Sequence, residues 1–157
     1  MEITATEKNK KYKDRLSVYI DGKFSFTISE DDFISMNLYE NPVLTEEKID
    51  YIKNTLNFRE AKALAVRYLS WKLRTEQEVR VKLRDEGYDG ACVEQVIEEL
   101  KSIGYINNKL YAQKYVFDRS KLKPRSKRLM RQELKSKGIP DDIADEVLDD
   151  WKIEDHV

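Results

Sequence analysis

Cysteine occurs once in the 157 residues, as Cys92, and histidine once, as His156. A lone cysteine excludes an intramolecular disulfide framework and a cysteine-rich zinc site. Cys92 opens an apolar helical stretch with no histidine beside it, so its ordinary role is that of a small core side chain. His156, next to the C-terminus, is badly placed to act as a general base on a rigid scaffold. Only five glycines and three prolines are present, and they form neither a glycine-rich phosphate loop nor a nucleophile elbow. No apolar run approaches the roughly 20 residues that span a bilayer, and none near the start resembles a signal peptide. These absences argue against an enzyme, a cofactor, a small-molecule substrate and a membrane protein. They leave a cytoplasmic protein that works by binding.

What the chain does contain is a motif stated twice. Leu83-Arg84-Asp85-Glu86-Gly87-Tyr88 is answered by Leu134-Lys135-Ser136-Lys137-Gly138-Ile139, each set between a basic amphipathic stretch and an apolar one. The match extends back through Arg80 and Arg131 and forward through Val96-Ile97 and Val147-Leu148, while Ala65 and Tyr68 correspond to Ala112 and Tyr115. Such self-similarity predicts small helical units stacked in tandem. A charged fraction of 38% suits short helices with wide polar faces in an elongated array.

The first thirty residues differ. Ile3 to Thr6, Arg15 to Ile20 and Lys23 to Ile28 read as strands, with a lysine-rich loop over Glu7 to Lys13. Asp21-Gly22 suits a two-residue type I′ turn and predicts a hairpin from the second and third segments. Asp31-Asp32 and Thr45-Glu46-Glu47 supply capping oxygens for two short helices, with Asn41-Pro42 between them. From Phe58 a helical stripe of Ala61, Leu64, Ala65, Tyr68 and Leu69 begins. Thr75 and Glu78 have the spacing of a capping box, opening a helix with Val79 and Leu83 that stops at Gly87. Asp89 caps a third, with a stripe of Val93, Val96, Ile97, Leu100 and Ile103 ending at Gly104. Asn107 or Asn108 opens the next helix, from Leu110 to about Arg119. Pro124 and Pro140 suit the first turns of the last two, Pro124 to Lys137 and Pro140 to about Lys152. The predicted fold is mainly α: a β-hairpin region (1–30), a helical connector (31–57), two three-helix repeats (58–106 and 107–152) and a tail (153–157).

A net charge of −1 conceals strong segregation. From Arg119 to Lys137 the cations Lys121, Lys123, Arg125, Lys127, Arg128, Arg131 and Lys135 face one acid, Glu133; from Asp141 to Asp155 the balance reverses. The first repeat echoes this, with Arg67, Lys72, Arg74, Arg80, Lys82 and Arg84 preceding Glu98-Glu99. The second helix of each repeat is therefore basic, and aligned helices would give a strip able to track phosphates or an acidic groove. The competing reading is a solvated face whose cations pair with nearby acids. The paired carboxylates after Asp141 lack the glycine-containing loop of a calcium hand, so pairing with the basic helix is the simpler account of them. Tyr68, Trp71, Tyr111, Tyr115 and Phe117 are interleaved with cations and have two readings, base stacking or repeat packing.

The run Tyr68 to Val79 (YLSWKLRTEQEV) with Leu83 and Gly87-Tyr88, the segment Gly104-Tyr105-Ile106-Asn107-Asn108 leading to Tyr111-Ala112, and the run Lys127 to Ile139 together resemble the signatures of the bacterial RecX family. The N-terminal hairpin and connector are similar to extensions of some Gram-positive members. The resemblance implies a non-catalytic regulator in homologous recombination, DNA repair and the SOS response. Such a regulator binds the RecA filament in its helical groove, reaches single-stranded DNA through the filament, and restrains ATP hydrolysis and strand exchange. It also implies three repeats where this sequence shows two, and a glycine near Ser126 where it has Lys-Pro-Arg-Ser. Two other classes stay open: a stand-alone nucleic-acid-binding helical repeat protein, and an adaptor for another partner.

Overall fold

The computed structural model describes residues 1–9, 11, 14–122 and 126–155, with only the backbone at 122 and 152–155. Pro124 and His156 fall outside them. The elements are β1 (Ile3–Lys8), β2 (Arg15–Ile20), β3 (Lys23–Ser29), α1 (Glu30–Ser35), α2 (Glu46–Tyr51), a π-helical turn (Ile52–Leu56), α3 (Asn57–Trp71), α4 (Glu76–Asp85), α5 (Gly90–Ser102), α6 (Asn108–Leu122), α7 (Lys127–Ser136) and α8 (Asp141–Asp155). This is a mainly α fold with a small N-terminal sheet followed by tandem three-helix repeats, α3 to α5 and α6 to α8. Two compact units divide it, Met1–Leu64 with Leu83–Val96, and Ala65–Lys82 with Ile97–Val157.

In the first unit the strands form an antiparallel sheet in the order β1-β2-β3. The Asp21-Gly22 turn takes φ of 51° and 82°, the angles a type I′ hairpin requires. β1 runs further than its polar sequence suggests, because Glu7 and Lys8 pair with Ser17 and Leu16. Alternation does the rest: Val18, Ile20, Phe26 and Ile28 share one face and close a core with Phe33, Leu38, Leu44 and Ile52. Burying such side chains contributes about 1.5–3 kcal/mol each. The α1 cap is Ser29, whose Oγ accepts from the Asp32 N–H at 3.0 Å, so Asp31 and Asp32 serve as first-turn charge instead. Thr45 caps α2 as expected, accepting from Lys48 N–H at 3.1 Å. No break separates connector from first repeat. Residues 46–71 contain no glycine or proline, and the π turn adds a residue within a continuous helical run, with Asn57 N–H donating to Ile52 C=O.

The other face of β2 carries Arg15, which is only 7% exposed. Its guanidinium donates to Glu60 Oε2 at 2.6 Å, Thr27 Oγ1 at 2.8 Å and Asn57 Oδ1 at 3.1 Å, and lies 4.8 Å from the Tyr88 ring centre. Cys92 is buried in the same unit, as core packing predicts. Burial first, then the Asp89 carboxylate, pushes its thiol from 9.0 up to about 11; burial and Glu60 push Tyr88 up to about 12. The folded chain therefore holds protons that the unfolded chain releases, so stability is full below about pH 9 and is lost as pH climbs through the raised values. Urea midpoints should fall between pH 9 and 11, with a shallower fall in Cys92→Ala; equal slopes would show that the thiol is not linked to folding.

The second unit closes around Ala112, Val116, Met130, Leu134, Ile139, Ala144, Val147 and Leu148, with Tyr111, Tyr115, Ile143 and Trp151 packed at its margin. Ser126 caps α7 by accepting from Leu129 N–H at 3.1 Å, so the helix starts at Lys127, later than Pro124 suggests. The repeated Leu-to-Gly motif is a helix stop. Gly87 and Tyr88 donate to the carbonyls of Arg84 and Leu83, and Gly138 and Ile139 to those of Lys135 and Leu134. The α5 stripe holds for Val93, Val96, Ile97 and Leu100 but not for Ile103, which follows the end of the helix and is 53% exposed.

Candidate functional site

The start of α4 sets the frame for the basic residues of the second unit. Thr75 Oγ1 accepts from Glu78 N–H at 3.0 Å while Glu78 Oε1 accepts from Thr75 N–H at 3.0 Å, the capping box that the spacing predicts. Thr75 is fully buried, and its hydroxyl also donates to the Lys137 carbonyl at 2.7 Å. The two asparagines divide their labour. Asn107 Oδ1 caps α6 through Leu110 N–H, whereas Asn108 Oδ1 accepts from Glu76 N–H at 3.0 Å and completes the first turn of α4. At Gly138, with φ of 91°, a Cβ would fall inside the Gln77 side chain.

Many predicted cations are already engaged. Arg80 pairs with Glu76 at 3.0 Å, a helical pair one turn apart. On α7, Arg131 donates to both Asp145 oxygens, at 2.7 and 3.4 Å, and stands 3.5 Å from Asp141, while Lys127 reaches Asp149 at 3.4 Å. The acids after Asp141 thus neutralise part of the basic helix, as the sequence pattern suggests. Arg74 lies over the Tyr68 ring at 4.0 Å with Lys82 at 5.7 Å, and Lys121 over Phe117 at 4.1 Å. Tyr115, the counterpart of Tyr68, stacks on Tyr111 with centroids 6.4 Å apart, bonds the Glu133 carboxylate and carries Arg119 at 5.3 Å. Repeat-packing tyrosines with cationic roofs are the result.

Four cations differ. Arg67, Lys72, Arg128 and Lys135 are exposed and have no ion pair among the described residues. Arg128 and Lys135 are two turns apart, so they share the outer face of α7 with Arg131. Arg84 is exposed in the last turn of α4, in the first unit. Lys123 and Arg125 lie outside the described residues. Trp71 ends α3 and is 84% exposed, whereas Trp151 rests against the second core. Sequence reasoning did not find Arg15: an arginine that begins a strand reads as an edge charge, and its partners are distant in the chain. Among the described residues no group of three or more His, Cys, Asp or Glu is placed to hold a metal ion, and no helix is long and apolar enough to cross a membrane.

Residues 1–45 match the family described as the regulatory protein RecX N-terminal domain, residues 61–100 the RecX first three-helix domain, and residues 107–148 the RecX second three-helix domain. The regulatory protein RecX of Clostridium acetobutylicum is 33% identical over 149 residues, covering 93% of this chain and 67% of the relative. That of Clostridium beijerinckii is 31% identical over 147 residues, covering 94% and 68%. A Listeria monocytogenes serotype 4b relative is 29% identical over 154 residues; the alignment takes in 98% of this chain but only 57% of that protein, so the chain spans little more than half its length. A crystal structure of a regulatory protein RecX superposes with a TM-score of 0.63 at 28% identity, over 96% of this chain and 73% of the other. The crystal structure of RecX from Lactobacillus salivarius gives 0.57 at 32% identity, over 59% and 60%. With the N-terminal domain and both three-helix domains matched in order, the chain belongs to the RecX family of regulatory proteins.

Proposed function

We propose that this chain modulates the RecA recombinase: it binds in the groove of the RecA filament on single-stranded DNA and restrains ATP hydrolysis and strand exchange. The observation that carries the reading to particular residues is the outer face of α7, where Arg128 and Lys135 stand exposed without acidic partners among the described residues, while Arg131 and Lys127 are held by α8. A face with uncompensated charge is available to an acidic protein groove, whereas paired cations must first give up a partner. Family membership supplies the class of target.

The test is RecA's DNA-dependent ATP hydrolysis, titrated with this chain and with an Arg128→Glu, Lys135→Glu variant. Reversing both charges should raise the half-inhibitory concentration about tenfold, the effect of roughly 1.4 kcal/mol of lost complementarity. Unchanged inhibition by a variant with native helical content would remove α7 from the interface. Absence of inhibition by the unaltered chain would remove RecA as the target.

A further inference from the structure

We propose that Trp71, with Arg67 and Lys72, forms a stacking site for single-stranded DNA that works without any protein partner. Trp71 is the last residue of α3 and is 84% exposed, which leaves its amphipathic indole face open to a ligand. Arg67 precedes it by one helical turn and so lies on the same face, and Lys72 follows it directly. Both cations are exposed and unpaired among the described residues. Lys72 continues into a shallow groove of about 170 Å3 beside Leu73, Tyr111, Lys114 and Tyr115. The one acid among its described lining residues, Asp118, is 3.3 Å from Lys114. All these residues belong to the second unit.

An unpaired ring flanked by cations is the arrangement that takes a base on its face and phosphates at its sides. An acidic peptide would use the cations and leave the indole idle. Duplex DNA would present no free base face to it. Single-stranded DNA engages both, with one base on Trp71 and the backbone led from Arg67 past Lys72 toward Lys114. The proposal stands apart from the RecA reading, because it predicts binding to bare DNA.

The experiment is a fluorescence titration of the whole chain with oligo(dT), without RecA, in a Trp151→Phe background that leaves Trp71 the sole tryptophan. Saturable quenching that weakens with salt is expected. Trp71→Ala, followed by anisotropy of labelled oligo(dT), should weaken binding about tenfold and Trp71→Phe much less. Arg67→Gln and Lys72→Gln should each lower the salt slope by about 0.7. Absence of quenching, or unaltered affinity in Trp71→Ala, overturns the site; equal quenching by poly-glutamate overturns it in favour of an acidic polypeptide. Loss of DNA binding in Trp71→Ala with RecA inhibition retained would uphold both proposals as separate activities.

Discussion

Gly138→Ala should lower the unfolding free energy by about 3 kcal/mol. Two costs add. With φ of 91° the residue sits where L side chains are strained, at roughly 1–2 kcal/mol. The new Cβ also falls inside the Gln77 side chain, and Gln77 is in the first turn of α4, which is pinned by Thr75 to the Lys137 carbonyl next door. Neither backbone can retreat without breaking that 2.7 Å bond, so overpacking adds about 1–3 kcal/mol. Gly104→Ala separates the terms: its φ is 83° but nothing lies within 4 Å of the added carbon, so it should cost only the backbone share. Urea denaturation of both variants is the measurement. Equal losses would mean that the contact with Gln77 carries no energy.

Arg15→Ala should cost about 3 kcal/mol, read from the same urea curves. The arginine is 7% exposed and holds Glu60, Asn57 and Thr27 together from one guanidinium. Truncation leaves those acceptors facing a cavity, and breaking a buried pair typically costs about 3–5 kcal/mol. The lower end applies because Glu60 keeps a third of its side chain in water and can recover some hydration. Arg15→Met with Glu60→Met should regain most of the loss, since apolar replacement of both partners removes the unpaired charge. A double variant as unstable as the single one would mean that packing of the stem, not charge, is what Arg15 contributes.

The sequence disclosed what is periodic or local. The hairpin turn, the capping box at Thr75, the Asp89 cap and both glycine stops follow from residues a few positions apart, and the structure reproduces them. What escaped depends on distant partners. Nothing near Arg15 announces Glu60, and nothing near Asn108 announces that it serves α4 instead of its own helix. Among the candidate cations, composition identified the basic helices but not which members were spoken for, because pairing is decided by three-dimensional neighbours. Arg131 and Arg128 look alike in sequence; two aspartates on α8 distinguish them.

The shared first turn of α4 bears on how such a chain can change over evolution. Repeat proteins are often treated as strings of interchangeable bricks, lengthened or shortened by duplication. Here one brick is mortared by the next: Asn108, the Lys137 carbonyl and Gly138 all close on three consecutive residues, Thr75, Glu76 and Gln77. A repeat grafted from elsewhere would have to present an asparagine, a carbonyl and a glycine in the same register to be accepted. The junction therefore acts as a compatibility lock, and drift in one repeat is answerable to the other residue by residue.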